Sequence, residues 1–168
     1  MNTQRPTIVD FVNKYVDLYK DSPYLYEYDE TEKKFLPTSF VQTRAMAERI
    51  AGGLMALGVQ KDDRISYLAE GRNMWIIGEI GVFFAGAVNV PLSIKLSESR
   101  DLIFRIHHSD SRFVITTRLQ LPKIRKIIAD LPLVEKVIVL DDVDEPAENE
   151  VTVSQLLAMG DEYLKDHR

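Results

Sequence analysis

Between Arg64 and Leu140 four short apolar runs alternate with segments of helical period, and this alternation constrains the fold more than any other feature of the chain. The runs are Arg64 to Leu68, Ala87 to Pro91, Arg112 to Thr116 and Lys136 to Leu140, and the helical segments between them are Met74 to Ala85, Glu98 to His108 and Pro122 to Asp130. A helix between two strands makes a crossover connection, which brings the second strand in parallel to the first and lays the helix on a face of the sheet. The expectation is therefore an α/β fold: a largely parallel sheet with helices on both faces.

Upstream, Ile8, Phe11, Val12, Tyr15, Val16 and Tyr19 repeat with helical period after Pro6, predicting an amphipathic first helix over Thr7 to Lys20. Tyr24 to Tyr28 and Lys34 to Phe40 flank the polar stretch Asp29-Glu30-Thr31-Glu32 and predict a β-hairpin, with Pro23 and Pro37 confining its strands to edge positions. Thr38 or Ser39 opens a second helix, and Gly58 is placed to end it in the left-handed conformation. Beyond the fourth strand, residues 141–150 form an acidic loop, and a last helix runs from about Ser154 to Asp166. No internal repeat is visible.

The stretch GRNMWIIGEIGVFFAGAVNVPL, residues 71–92, is long enough to cross a membrane. Glu79 inside it and Asn89 and Pro91 near its end argue against a span, because a charge at the centre of a membrane helix costs about 2.5–3.5 kcal/mol on insertion scales. It reads instead as a helix N-capped by Asn73, stopped at Gly86 and followed by a strand. Gly78, Gly81 and Ala85 share one stripe of that helix and allow close approach of a neighbour.

A net charge of −5 disfavours a nucleic-acid partner, which needs a concentrated basic face. The absence of cysteine removes disulfides, thiolate nucleophiles and thiolate metal sites, and fits a reducing interior. MNTQRPTIVDF lacks the pattern of a secretory leader, so the expected compartment is the cytoplasm. The dinucleotide fingerprint, the P-loop, the nucleophile elbow and the zinc-helix motif are all missing. Parallel sheets bind ligands at the carboxyl ends of their strands, which puts Arg72 and Arg118 where they either hold an anion or pair with nearby carboxylates. His107 and His108 adjoin Ser109 and Asp110, but adjacent helical residues diverge by about 100°, so a helix-terminal role suits them better than catalysis. The loop 141–150 lacks the ligand spacing of a calcium site and reads as solvated surface. Trp75, the sole tryptophan, either packs on the sheet or offers a ligand platform. No catalytic, cofactor-binding or metal-ligating residue is assigned.

Four strings carry a family resemblance. Thr38-Ser39-Phe40 followed by Arg49-Ile50-Ala51-Gly52-Gly53-Leu54 resembles an A-x-G-L helix segment, and residues 57–65 (LGVQKDDRI) resemble L-G-V-x-K-G-D-R-V. Residues 70–75 (EGRNMW) resemble E-N-R-x-E-W, and residues 86–92 (GAVNVPL) resemble G-A-V-x-V-P-L. In this order the strings resemble the N-terminal portion of the AMP-forming acyl-CoA synthetases, in their long-chain fatty-acid branch, within the adenylate-forming family of acyl- and aryl-CoA ligases and luciferases. Asp62 stands where that family usually has glycine and Gly71 where asparagine is commoner, so altered geometry is expected at those two turns.

The resemblance implies a parent enzyme that uses ATP, magnesium and coenzyme A to make an acyl-adenylate and then an acyl-CoA. The family's phosphate loop, ribose-binding aspartate and C-terminal lysine have no counterpart here. Residues 1–168 are accordingly expected to be one N-terminal subdomain, cut before the phosphate loop, that acts as scaffold and is inactive alone. Its expected partners are the rest of its own chain and a second copy, through the first helix and hairpin. Contact of the parent with a membrane surface stays open. The rival expectations are a free-standing α/β interaction module and a flavodoxin-like nucleotide-binding domain.

Overall fold

The computed structural model describes residues 5–167; the leader reading rests partly on residues 1–4, which lie outside them. The chain opens with α1 (Ile8–Tyr19), the antiparallel hairpin β1 (Pro23–Asp29) and β2 (Lys34–Ser39), and α2 (Phe40–Ala56). There follow β3 (Arg64–Leu68), α3 (Asn73–Phe84), β4 (Val88–Pro91), α4 (Ser99–His108), β5 (Phe113–Thr116) and α5 (Leu121–Ile127). A short 3-10 turn, Ile128–Asp130, leads to β6 (Lys136–Val139), β7 (Glu150–Thr152) and α6 (Val153–Asp166).

The expected parallel sheet is present, five strands wide in the order β4-β3-β5-β6-β7, every pairing parallel. Alternation of side chains divides it into two faces. Ile65, Tyr67, Phe113, Ile115, Ile138 and Val151 pack with α2, α3 and α6 on one face. Leu68, Val114, Val137 and Val139 pack with α4 and α5 on the other. The continuous apolar runs of the sequence are thus the signature of strands covered on both sides.

Helix boundaries follow local chemistry. Ser39 and Gln42 form a reciprocal capping box that starts α2, as Thr7 and Asp10 do for α1 and Thr152 and Gln155 for α6. Gly58 (φ 90°) ends α2 in the left-handed conformation anticipated for it, and Gly86 (φ 75°), read as the stop of α3, adopts the same conformation. Gly78 and Gly81 serve the close approach read from their stripe: a Cβ at Gly78 would lie 2.2 Å from the Tyr67 hydroxyl, and one at Gly81 2.6 Å from Ile50 Cγ2. Among the described residues no helix is long and apolar enough to cross a membrane.

Three details differ from the sequence reading. Asn73 is the first residue of α3 rather than its cap; Arg72 occupies the cap position but its side chain caps no backbone N–H of the helix, and Asn73 Nδ2 reaches Thr38 Oγ1 at 3.4 Å. Helix α4 begins at Ser99, with Glu98 as its cap rather than its first residue. The acidic loop ends at Asn149, because Glu150 begins β7 and is buried. Glu150 can sit there because Arg125 donates to both of its carboxylate oxygens, at 2.8 and 2.7 Å.

Candidate functional site

Strand β3 is flanked by β4 and β5, so the chain leaves β3 for one side of the sheet and, after β4, crosses back to the other. The carboxyl ends of β3 and β5 therefore flank a topological switch point, the place where doubly wound sheets hold ligands. The segments reaching this edge are residues 69–72 after β3, 117–120 after β5 and 140–141 after β6.

The polar side chains delivered there bind one another. Arg72 donates to Asp141 Oδ1 at 2.8 Å and to the Leu140 carbonyl at 2.8 Å. The Arg118 backbone N–H donates to Asp141 Oδ2 at 2.7 Å. Glu70 accepts from Thr117 Oγ1 at 2.6 Å and from Gln120 Nε2. Burial works to raise the pKa of Asp141, but the bonds from Arg72 and the Arg118 N–H, with the two arginine charges, outweigh it and hold the carboxyl below the usual carboxylate range. At Glu70, too, burial opposes, but the bonds from Thr117 and Gln120, its own backbone N–H and the nearby Arg72 charge prevail and hold the carboxyl below the usual carboxylate range. Only two buried polar atoms of this cluster are left without a partner, Arg72 Nε and Gln120 Oε1. Of the two readings of Arg72, pairing with a nearby carboxylate is the one observed.

The Arg118 side chain is exposed and, with Arg125, Asp142, Asp144 and Glu145, borders a shallow depression of about 420 Å³. Its charges are mixed, and several are engaged. Asp142 accepts from Ser154 Oγ at 2.6 Å and Ser154 N at 3.2 Å, at the start of α6. Arg125 is held by Glu150. Among the described residues no three His, Cys, Asp or Glu side chains are grouped to hold a metal ion. The polar groups at this edge are thus bonded chiefly to one another.

The remaining candidates lie elsewhere. His107 and His108 are exposed in the last turn of α4, where positive charge complements the helix dipole, and His108 stacks on Phe104 with ring centroids 5.4 Å apart. That turn leads into the start of β5, so it lies at the opposite, amino edge of the sheet. Ser109 bonds the Ile106 carbonyl and Ser111, and Asp110 pairs with Arg64 at 3.9 Å. Trp75 meets Tyr67 edge-on at 5.8 Å, and the Tyr67 hydroxyl donates to the Trp75 carbonyl at 3.1 Å. Packing against the sheet is the role observed for this tryptophan. The Glu70, Thr117 and Gln120 cluster went unread in the sequence because its members are 47 and 50 residues apart and only the pairing of β3 with β5 joins them.

Comparison with known proteins matches this architecture. The family model described as AMP-binding enzyme matches residues 16–163. The 4-hydroxybutyrate-CoA ligase 2 of Metallosphaera sedula is 27% identical over 155 residues, covering 92% of this chain and 25% of the relative. A long-chain-fatty-acid-CoA ligase of Mus musculus is 27% identical over 132 residues, 76% of this chain and 18% of the relative. The chain thus spans a quarter or less of the length of these two curated relatives. In fold it is similar to the coronafacic acid ligase of Pectobacterium brasiliense, with a TM-score of 0.79 at 24% identity over 89% of this chain and 29% of that one. The five-stranded parallel sheet, the hairpin before it and a family match reaching from α1 to α6 lead to one assignment: the chain belongs to the AMP-binding enzyme family.

Proposed function

We propose that this chain is the scaffold subdomain of an acyl-CoA ligase that activates a long-chain fatty acid. In such an enzyme ATP and the carboxylate give an acyl-adenylate and pyrophosphate, and the thiol of coenzyme A then displaces AMP. The observation that carries the reading is the family match over residues 16–163 on a sheet whose carboxyl edge spends its polar groups on itself. Catalysis of this kind needs preorganised donors around the departing phosphates. The reading assigns those donors, the magnesium ion and the coenzyme A site to the rest of a longer polypeptide, with these residues supplying a rigid wall. It also places the enzyme in the cytoplasm, in keeping with a sequence free of cysteine.

Pyrophosphate release in the presence of ATP, magnesium and palmitate tests the reading. The 168-residue chain is expected to release none. A longer polypeptide, in which these residues are followed by a Ser/Thr/Gly-rich loop ending in lysine, is expected to release it on palmitate addition. Release by the 168 residues alone overturns the scaffold role, and a longer enzyme that activates 4-hydroxybutyrate but not palmitate overturns the long-chain assignment.

A further inference from the structure

The helical layers on the two faces of the sheet differ in charge. Helices α4 and α5 adjoin one another on one face, bury Leu102, Ile106, Leu121, Ile124 and Ile127 against it, and turn their other sides to water. They carry Arg100, Arg105, Lys123, Arg125 and Lys126 against a single acid, Asp101, in a chain whose net charge is −5. The loops at their ends add Lys95, Glu98 and Asp130. The opposite layer, α2, α3 and α6, holds Arg44, Arg49 and Lys165 against Glu48, Glu79, Asp161, Glu162 and Asp166.

Most of the positive charge on α4 and α5 is uncompensated. Among the described residues Arg100, Arg105 and Lys126 enter no ion pair. Lys123 donates to the carbonyl oxygens of Ile94 at 2.7 Å and Leu96 at 3.0 Å, which leaves its charge in place; Arg125 alone is neutralised, by Glu150. Arg100, Phe104 and His108 follow one another at a spacing of four along the exposed stripe of α4, with Arg105 beside them. Phe104 is 64% exposed, and its ring lies flat on the His108 imidazole with the planes 8° apart. An apolar ring is thus held out to water among unpaired cations.

The shape of this layer decides between partners. Its niche, bordered by His107, Leu131 and Leu133, holds about 10 Å³, room for one water and not for a side chain. A protein partner is gripped through anchors seated in pockets. A bilayer needs only cations to meet its phosphates and an apolar side chain to enter the headgroup layer.

We propose that the α4–α5 layer is a docking surface for anionic lipid bilayers, with Arg100, Arg105, Lys123 and Lys126 supplying the attraction and Phe104 entering the headgroup layer. The surface is separate from the switch-point edge. The proposal does not depend on the ligase reading, because lipid binding is measured without ATP or acyl substrate.

Cosedimentation of the 168-residue chain with vesicles tests it, using phosphatidylcholine alone and phosphatidylcholine with phosphatidylserine at about 7:3. Binding is expected only to the mixed vesicles, falling steeply between about 0.05 and 0.5 M salt as the charges are screened. Arg100→Gln with Lys126→Gln is expected to weaken it about twentyfold, and Phe104→Ser about tenfold with the salt dependence kept. Lys33→Gln with Lys34→Gln removes the same charge from the hairpin and is expected to leave binding within about twofold. All five side chains are exposed, so each variant is expected to keep the native urea midpoint within about 0.5 kcal/mol of stability. The proposal is overturned if the chain ignores the mixed vesicles, if it binds both kinds equally, or if the hairpin pair weakens binding as much as the helix pair. Retention on immobilised polyglutamate without vesicle binding overturns it too, in favour of an acidic protein partner.

Discussion

Asp62 holds φ at 69° in the third position of the turn Gln60–Asp63, which is closed by the Asp63 N–H on the Gln60 carbonyl at 3.1 Å. A positive φ at that position of a turn is what favours glycine there. The left-handed conformation costs an L-residue roughly 1–2 kcal/mol, and glycine loses roughly 0.5–1 kcal/mol more in chain entropy on folding. Asp62→Gly is therefore expected to stabilise the chain by about 0.5 kcal/mol, measured as a raised urea midpoint at unchanged slope. Gly71 raises no such question: its φ is not in the left-handed range, and a Cβ there would meet nothing within 4 Å. Glu150 is a second residue whose effect is measurable. The bonds from Arg125 hold its carboxyl below the ordinary 4.5 despite burial. A depressed folded pKa means that the stabilisation is complete above the unfolded value and is lost as pH falls through the folded one. The urea midpoint should stay level from about pH 7 to pH 5 and fall below about 4.5, with a smaller fall in Glu150→Gln. At neutral pH, Arg125→Ala strands a carboxylate whose side chain is 3% exposed. The expected cost is about 2 kcal/mol, under the 3–5 kcal/mol of a fully buried pair because Arg125 itself is 47% exposed.

Helices α2 and α6 meet through glycines. A Cβ on Gly160 would lie 1.9 Å from the Arg49 carbonyl oxygen, and one on Gly53 would lie 2.3 Å from that of Leu156. Both obstacles are backbone, so the helices would have to separate. Gly160→Ala is expected to cost about 3 kcal/mol in urea unfolding, against less than about 1 kcal/mol for alanine at an exposed position of α6 such as Glu162. This contact also marks where the sequence stopped being readable. Strands β3, β4, β5 and β6 and the helices between them were legible because apolar periodicity is local. So were the glycine stops of α2 and α3, since chain geometry alone demands them. The docking of α6 was not, because Arg49 and Asp161, bonded at 2.6 Å, are 112 residues apart. Strand β7 was hidden by its length of three residues and by Glu150, which looks solvated until Arg125, 25 residues earlier, is brought beside it. The polar lattice at the sheet edge was half visible: Arg72 and Arg118 stood out, and their common partner Asp141 passed for part of a surface run.

At the scale of the whole molecule, the hairpin leaves aromatic rings facing water. Phe35 is 65% exposed, Tyr26 and Tyr28 are exposed, and Tyr28 meets Phe35 edge-on at 5.4 Å. If the hairpin mediates self-association, sedimentation equilibrium should find a reversible dimer, and the double change Tyr26→Ser with Phe35→Ser should weaken it at least about tenfold, as removal of aromatic anchors does. A chain that stays monomeric at every concentration rejects this role for the hairpin. The strand order has a consequence of another kind. Since β3 precedes its two neighbours and β5, β6 and β7 follow outward one after another, each strand leaving a ribosome finds a vacant border on the sheet already laid down. Nothing has to be prised apart to admit a latecomer, so the sheet can be assembled in the order of its synthesis, with α6 arriving last to clasp α2.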